Sequence, residues 1–148
     1  MEKLASIASV MTISVNMENG PWCAPVYFVH NRSFYFFSSP DSIHIIYGLN
    51  RKAACSLFID SKDINDIRGI QMSGSIYEPD IIEKTKAAVK YINKFGKKIG
   101  IFDFDPKLIE KKFKSRLYAF LPESYVITDN SKGFGRKNKE RWMTNNDI

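Results

Sequence analysis

Residues 10–29, VMTISVNMENGPWCAPVYFV, predict a strand, a turn and a second strand. Apolar and polar residues alternate over residues 10–17, which is typical of a strand with one buried face. Asn19-Gly20 is a strong hairpin signal, and the apolar run that follows favours a second strand. The short connection HNR, residues 30–32, leads into SFYFFSS, residues 33–39. Since β-branched and aromatic residues dominate, we predict a three-strand meander.

The strand pattern continues outward from this meander, with helices inserted late. Residues 39–52 have Ser and Asp at a capping position and predict a short helix. AACSLFID, residues 53–60, predicts a fully buried strand. DIRGIQMSGSIYE, residues 66–78, predicts a long strand in which Gly69 and Gly74 suggest bulges or close approach of a ligand to the backbone.

Helical periodicity begins after Pro79. Six residues share one predicted helical face: Ile81, Thr85, Ala88, Val89, Ile92 and Phe95. DPKLIEKKF, residues 105–113, predicts a shorter helix with Asp105 as cap and Pro106 in its first turn. The last strand, residues 116–128, is predicted to break at Leu121-Pro122. We therefore expect one mainly β domain over residues 1–148, an antiparallel barrel with peripheral helices, with residues 130–148 as a basic C-terminal extension.

Composition limits the class of protein. The 148 residues are 44% hydrophobic and 14% aromatic, which excludes a disordered chain. No apolar run has the ~20 residues that span a bilayer, so we expect no membrane partner. The first residues lack a signal-peptide layout, and the two cysteines do not suggest a disulfide framework or a zinc site. We expect a cytoplasmic domain with reduced thiols and no bound metal.

The net charge of +6 is concentrated in one segment. Residues 83–116 contain eleven Lys and Arg residues against four acids. Such a segment could bind a polyanion, but lysines on the outer face of a helix are more often simply solvated. Because no nucleic-acid recognition motif accompanies the charge, we do not expect nucleic-acid binding.

Catalytic side chains are few. His30 falls in a predicted turn, where a solvated role is expected, and no nucleophile–base motif is present. His44 follows SSPDS at a predicted helix start, so it is either an exposed helix residue or a phosphate contact. If the protein does chemistry, we expect a bound organic cofactor to supply it.

The order PWCAPVYFV, RSFYFFSSPDS, AACSLFID and RGIQMSGSIYE resembles the pyridoxamine-phosphate-oxidase-like, FMN-binding split-barrel superfamily. The pairing of RGIQMSGSI with TDNSKGFGRK and a later Trp is similar to the uncharacterised bacterial YhbP-like family. The resemblance implies a split β-barrel and a homodimer with FMN between its subunits. It also implies, if the protein is an enzyme, an FMN-dependent oxidoreductase that acts on a small molecule.

The resemblance also implies positions for the cofactor. The flavin phosphate would lie where the third strand turns into the following helix, at Ser38, Ser39 and His44. In place of the adjacent basic pair of flavin-binding relatives, this chain has Ile43-His44, which removes a charge-assisted contact. Cys23, Ala24 and Pro25 would run beside the flavin ring. Gln71 is either the outward residue of an alternating strand or a cofactor contact.

There are two hypotheses for the role of the C-terminal extension. Gly133 and Gly135 would let the chain turn so that Arg136 and Lys137 supply positive charge and Trp142 covers the ring. Alternatively, Phe134 and Trp142 anchor the dimer interface. Two other functions also remain open for the whole chain: a flavin- or haem-binding protein without turnover, and a basic scaffold that binds a polyanion.

Overall fold

The computed structural model describes residues 2–100, 106–132 and 143–144, which form four helices and eight strands. The helices are α1 (Glu2–Ile7), α2 (Ile43–Ile46), α3 (Ile81–Ile99) and α4 (Pro106–Phe113). The strands are β1 (Val10–Met17), β2 (Gly20–Tyr27), β3 (Val29–Asn31), β4 (Ser33–Ser38), β5 (Lys52–Ile59), β6 (Arg68–Tyr77), β7 (Arg116–Asp129) and β8 (Met143–Thr144).

The predicted first hairpin is confirmed. β1 and β2 pair antiparallel from Val10 opposite Tyr27 to Met17 opposite Gly20. Gly20 has φ 123°, a left-handed conformation that glycine adopts without the steric penalty of a Cβ. Alternate residues of β1 are buried, so the sequence alternation places one face of this hairpin in the core.

The predicted three-strand meander is wrong in its second half. Residues 29–38 form a separate hairpin, β3 with β4, which turns at Arg32 with φ 65°. The strand order is β2-β1-β5-β6-β7-β4-β3, with β8 paired to β7. β4 therefore pairs with β7, the last long strand, because strand neighbours in a curled sheet need not be sequence neighbours.

The sheet curls so that its two ends meet at one residue. β2 is first and β3 last in the strand order, yet only Phe28 separates them in sequence. The Phe28 side chain is fully buried and its ring lies 5.4 Å from that of Phe34. The predicted mainly β, antiparallel split barrel with peripheral helices is confirmed. Its interior contains the fully buried aromatic residues Phe28, Phe34, Phe36, Tyr118 and Phe120.

Two strand details differ from the sequence prediction. β5 alternates between buried and exposed residues, because only one of its faces lines the barrel. β7 runs through Pro122 without a break, and the pairing with β6 shifts register between Ser73 and Gly74. Glu123 is the extra residue of this bulge, so the irregularity predicted at Gly74 is confirmed, whereas Gly69 pairs regularly with Phe58.

α3 covers the outer face of β3, β4 and β7. Its buried residues Ala87, Tyr91 and Phe95 pack against Tyr35 and Leu117. The helix begins at Asp80, whose carboxylate accepts a hydrogen bond from the Glu83 amide, and ends at Gly100 with φ 65°.

The predicted apolar face of this helix is partly right. Ala88, Ile92 and Phe95 are buried as expected, but Ile81 and Thr85 in the first turns are exposed. α4 begins at Pro106 as predicted, while the proposed cap Asp105 lies outside the described residues. Within the described ranges no helix is long and apolar enough to cross a membrane.

Gly74→Ala tests the packing of the bulge. A Cβ at residue 74 would lie 2.1 Å from the Leu121 carbonyl oxygen, so the two backbones would have to separate. We expect the free energy of unfolding to fall by about 2–3 kcal/mol in urea denaturation. Ser73→Ala, at the exposed neighbouring position, is the control and should change it by less than about 0.5 kcal/mol. Equal stability of both variants would contradict the close approach.

Candidate functional site

The end of β4 and the turn into α2 bring three polar side chains together. The Ser38 hydroxyl lies 2.8 Å from His44 Nε2 and 3.0 Å from the Ser42 hydroxyl. Ser42 also donates to the Ser39 carbonyl at 2.7 Å, and Ser39 Oγ accepts from the Asp41 amide. The structure therefore brings the predicted residues Ser38 and His44 into direct contact and places Ser39 in the adjoining turn.

His44 is buried, which removes the alternative of an exposed helix residue. Its side chain is 7% exposed, and its ring lies 6.2 Å from that of Phe36. Burial lowers the pKa of His44 from its ordinary value, because the protonated ring would lose its hydration. At neutral pH the imidazole therefore brings no positive charge to this turn, and its role there is that of a neutral hydrogen-bonding group.

α2 adds little electrostatic attraction of its own. It has four residues, and its N-cap Ser42 makes no side-chain capping bond, since its hydroxyl bonds within the turn. A one-turn helix has a small dipole, so side chains must supply any strong attraction for an anion.

Arg116 supplies a positive charge next to this turn, and sequence reasoning missed it. It lies directly opposite Ser38 in the β4–β7 pairing, and its side chain is exposed. The adjacent Ser115 hydroxyl is buried and has no hydrogen-bond partner among the described residues. Because β4 and β7 are distant in sequence, only their pairing could have revealed this proximity. We call Ser38, Ser39, Ser42, His44 and Arg116 the α2 corner.

Among the other predicted site residues that the structure describes, Cys23, Pro25 and Gln71 lie on the outer face of the sheet. Cys23 and Pro25 are exposed on the edge strand β2, whereas Ala24 between them is half-buried. Thr12 of β1 lies opposite both Pro25 and Ser56. Gln71 is exposed and lies opposite Ser56, so the outward reading of this residue is confirmed.

Pro25 and Gln71 consequently belong to one cross-strand row. Three strand spacings separate them, which corresponds to about 14 Å. The remaining predicted residues, Arg136, Lys137 and Trp142, lie outside the described residues, as does the Gly133-Phe134-Gly135 segment.

Two open clefts follow the same outer face. One, of about 240 Å³, is lined by Ser14, Asn16, Lys52, Ala53, Ala54 and Ser73. Beside it the Lys52 ammonium pairs with the Glu123 carboxylate, which also accepts a hydrogen bond from Ser75. These two donors hold the pKa of Glu123 below its ordinary value.

The second cleft, of about 320 Å³, is mainly apolar and lies at the other end of the barrel. Its lining includes Ile7, Val10 and Phe58. Phe58 is 65% exposed, although phenylalanine side chains in a sheet are usually buried. The outer face of β2, β1, β5 and β6 thus combines small polar residues with an apolar end.

The two cysteines differ in burial. Burial raises the pKa of Cys55 well above its ordinary range, so its thiol stays protonated, and Cys23 is an exposed thiol. Across the described ranges no three His, Cys, Asp or Glu side chains are grouped as metal ligands.

The fold and the α2 corner define a split-barrel protein with a hydroxyl-rich turn at one end of the barrel. No family model matches the chain. The chain is 25% identical over 147 residues to a UPF0306 protein of Klebsiella pneumoniae, covering 93% of this chain and 92% of that protein.

Solved structures share the fold at low sequence identity. A heme binding protein from Mycobacterium smegmatis has a TM-score of 0.70 at 14% identity, covering 95% of this chain and 55% of that protein. A FAD binding protein from the same organism has a TM-score of 0.63 at 14% identity, covering 86% of this chain and 90% of that protein.

The lowered pKa of His44 predicts a pH dependence of stability. The unfolded chain takes up a proton near the ordinary pKa of about 6.5, whereas the folded chain does so at lower pH. Stability is therefore fully present above about pH 6.5 and falls as the pH decreases toward the folded pKa. We expect His44→Gln to flatten urea-measured stability between about pH 6.5 and 5.

His30→Gln, which removes the other histidine, is the matched control for this experiment. It should retain the loss of stability over the same interval. A His44→Gln profile with the slope of the unsubstituted protein would show that burial does not perturb His44.

Proposed function

We propose that this protein binds FMN, with the flavin phosphate at the α2 corner, and that it is a YhbP-like member of the pyridoxamine-phosphate-oxidase-like superfamily. The observation that carries the proposal is the position of Arg116 opposite Ser38. It offers the corner a fixed positive charge that Ile43-His44 does not. The fold shared with a FAD binding protein supports a flavin as the cofactor class.

The donor set of the corner fits a phosphate. The Ser39 hydroxyl is at the surface, and the Arg116 guanidinium suits a phosphate because it can donate two parallel hydrogen bonds. A neutral His44 fixes the Ser38 and Ser42 hydroxyls and so orients the turn.

The flavin ring would lie along β2. This strand pairs only with β1 among the described strands, so its other edge can donate and accept hydrogen bonds. Cys23, Ala24 and Pro25 present little side-chain bulk there. Gln71, three strands away on the outer face, would contact the ring only through a second subunit.

A homodimer accounts for the uncovered half of the sheet. α3 packs on β3, β4 and β7, whereas Cys23, Pro25, Ser56 and Gln71 are exposed on the outer face of β2, β1, β5 and β6. Phe58 and Val10 are 65% and 40% exposed on that face, and Tyr27 is 59% exposed although its ring packs against Phe95 of α3. Such a large exposed apolar group is typical of an association surface. The dimer would bring the β2 edge of one subunit toward the sheet face of the other.

The C-terminal extension would complete the site. β8 pairs with Ser124 and Tyr125 of β7, so the chain returns to the sheet after residue 132. This pairing supports the proposal that the segment between them, with Arg136, Lys137 and Trp142, lies near the dimer interface and the cofactor.

When bound, FMN would supply hydride and electron transfer. The chain's own residues would bind the phosphate, orient the ring and exclude water from it. If the protein is an oxidoreductase, its small substrate would enter beside β2. A flavin-binding protein without turnover would use the same contacts. Flavin absorbance of the purified protein would distinguish either of these functions from a basic scaffold that binds a polyanion. Haem binding, suggested by the heme binding protein of the same fold, is the second candidate. It is less favoured because His44 directs Nε2 at Ser38.

FMN and riboflavin affinities test the phosphate contact. We expect FMN to bind more tightly than riboflavin in a fluorescence titration, because only FMN has the phosphate. Arg116→Gln should weaken FMN binding by about tenfold, which is the scale of one partly exposed charged contact. The affinity for riboflavin should not change. Ser39→Ala should reduce the difference between the affinities for FMN and riboflavin.

Lys62→Gln, an equal charge loss in the exposed β5–β6 connection, is the control and should leave both affinities unchanged. Equal affinity for FMN and riboflavin in the unsubstituted protein would remove the phosphate assignment. A Soret band with no flavin bands after cofactor titration would favour haem instead.

Sedimentation equilibrium tests the dimer face. We expect a dimer at micromolar concentration and its dissociation in Phe58→Ser, since truncating a buried interface aromatic weakens association by about 1–3 kcal/mol. Leu108→Ser removes an exposed apolar residue of α4, outside this face, and should leave the dimer intact. A monomeric unsubstituted protein would contradict the proposal.

A further inference from the structure

A polar recess lies on the outer face of β1, β5 and β6. Ala54 lies opposite Ser14 of β1 and opposite Ser73 of β6, so three short side chains follow one another across three strands. Lys52 and Asn16 line the same recess, which is the cleft of about 240 Å³ described above. Because side chains of a strand alternate between its faces, Lys52 and Ala54 both project outward. The recess therefore combines two hydroxyls, a carboxamide and an ammonium group.

The bulge of β7 places a carboxylate beside this ammonium. Glu123, the extra residue of the bulge, pairs with Lys52 and accepts a hydrogen bond from Ser75 at 2.7 Å. Bulges recur next to active sites because they redirect a side chain. The side chains of Lys52 and Glu123 are 72% and 38% exposed, so a ligand can reach both charges. A cation and an anion thus lie side by side at one end of the recess.

We infer that the recess binds a small zwitterion, namely a free α-amino acid with a short polar side chain. A ligand with a single charge would be attracted by one member of the Lys52–Glu123 pair and repelled by the other. An α-amino acid matches both members, because it has a carboxylate for the lysine and an ammonium group for the glutamate. The exchange of partners costs little, since an exposed ion pair contributes little to stability. The Ser14 and Ser73 hydroxyls can then bind the polar side chain of the ligand.

The volume and position of the recess limit its ligand. The volume of about 240 Å³ is below the roughly 300–1,000 Å³ of sites for drug-sized ligands, so the occupant is small. Ser14 lies opposite Cys23 of β2, one strand from the proposed position of the flavin ring. An amino acid bound here would therefore be the substrate of the proposed oxidoreductase. Its role as substrate rests on the proposed function, whereas the binding site itself does not.

Amide NMR titration of the full chain with L-serine, without added FMN, tests this inference. We expect saturable chemical-shift changes at Ser14, Ala54 and Ser73. N-acetyl-L-serine lacks the ammonium group and L-serinamide lacks the carboxylate, so each should bind on the order of tenfold more weakly. No change with L-serine at millimolar concentration, or equal binding of the three compounds, would overturn the inference.

Substitutions in the recess test the same contacts. Lys52→Gln and Glu123→Gln should each weaken L-serine binding by on the order of tenfold, since each removes one charge-assisted contact. Ala54→Leu should abolish binding because it fills the recess, and the fold should be retained because residue 54 is exposed. Lys62→Gln, an equal charge loss outside the recess, is the matched control and should leave binding unchanged. Unchanged binding in Lys52→Gln and Ala54→Leu would contradict the site.

FMN affinity, measured on the same variants, separates this inference from the proposed function. Lys52→Gln should retain the preference for FMN over riboflavin, because the α2 corner is unchanged. Binding of L-serine at the recess in a protein that does not bind FMN would support the site and contradict the proposed function. Binding of FMN without binding of L-serine would overturn the recess as a ligand site and leave the proposed function standing.

Discussion

The curled sheet closes at Phe28, and this closure determines which surfaces the helices cover. Tyr27 ends the first strand of the sheet order and Val29 begins the last, so the sheet must curl until its two edges meet. Lys94 of α3 stabilises this closure. Its ammonium donates to the Ala8 and Phe28 carbonyls and lies over the rings of Phe28 and Phe95.

Closure at Phe28 also divides the outer surface into two halves with different roles. α3 is tied to the β3 side of the barrel, where it buries Tyr35 and Leu117. The β2, β1, β5 and β6 side is left with exposed apolar residues and two clefts. The proposed dimer would use the second of these halves. The α2 corner lies at the end of the barrel between them, where Ser38 ends β4.

Local sequence patterns predicted where the helices and strands lie better than they predicted which strands pair. The β1–β2 hairpin follows from the alternation and from Asn19-Gly20, and α3 from its periodicity. The β4–β7 pairing and the separate β3–β4 hairpin could not be predicted, because they depend on which distant strands meet when the sheet curls. β5 was predicted as fully buried because Phe58 and Ala54 are apolar, although both lie on the outer face.

The same limit applies to the α2 corner. Its hydroxyl residues and His44 could be selected from sequence, because they are adjacent in the turn. The lowered pKa of His44 could not be predicted from sequence, since it depends on the burial of the ring beside Phe36. Arg116 was missed because its proximity to Ser38 exists only in the folded sheet. Gln71 was selected, but its separation from β2 by three strand spacings shows why a second subunit enters the proposal.

The central claim is that a flavin phosphate binds at the α2 corner. The most direct measurement is an amide NMR titration of the full chain with FMN and, separately, with riboflavin. We expect saturable chemical-shift changes at residues 39–44 and at Arg116 with FMN that are absent or much smaller with riboflavin. Shifts confined to α3 and α4, or the same shifts with both ligands, would contradict it.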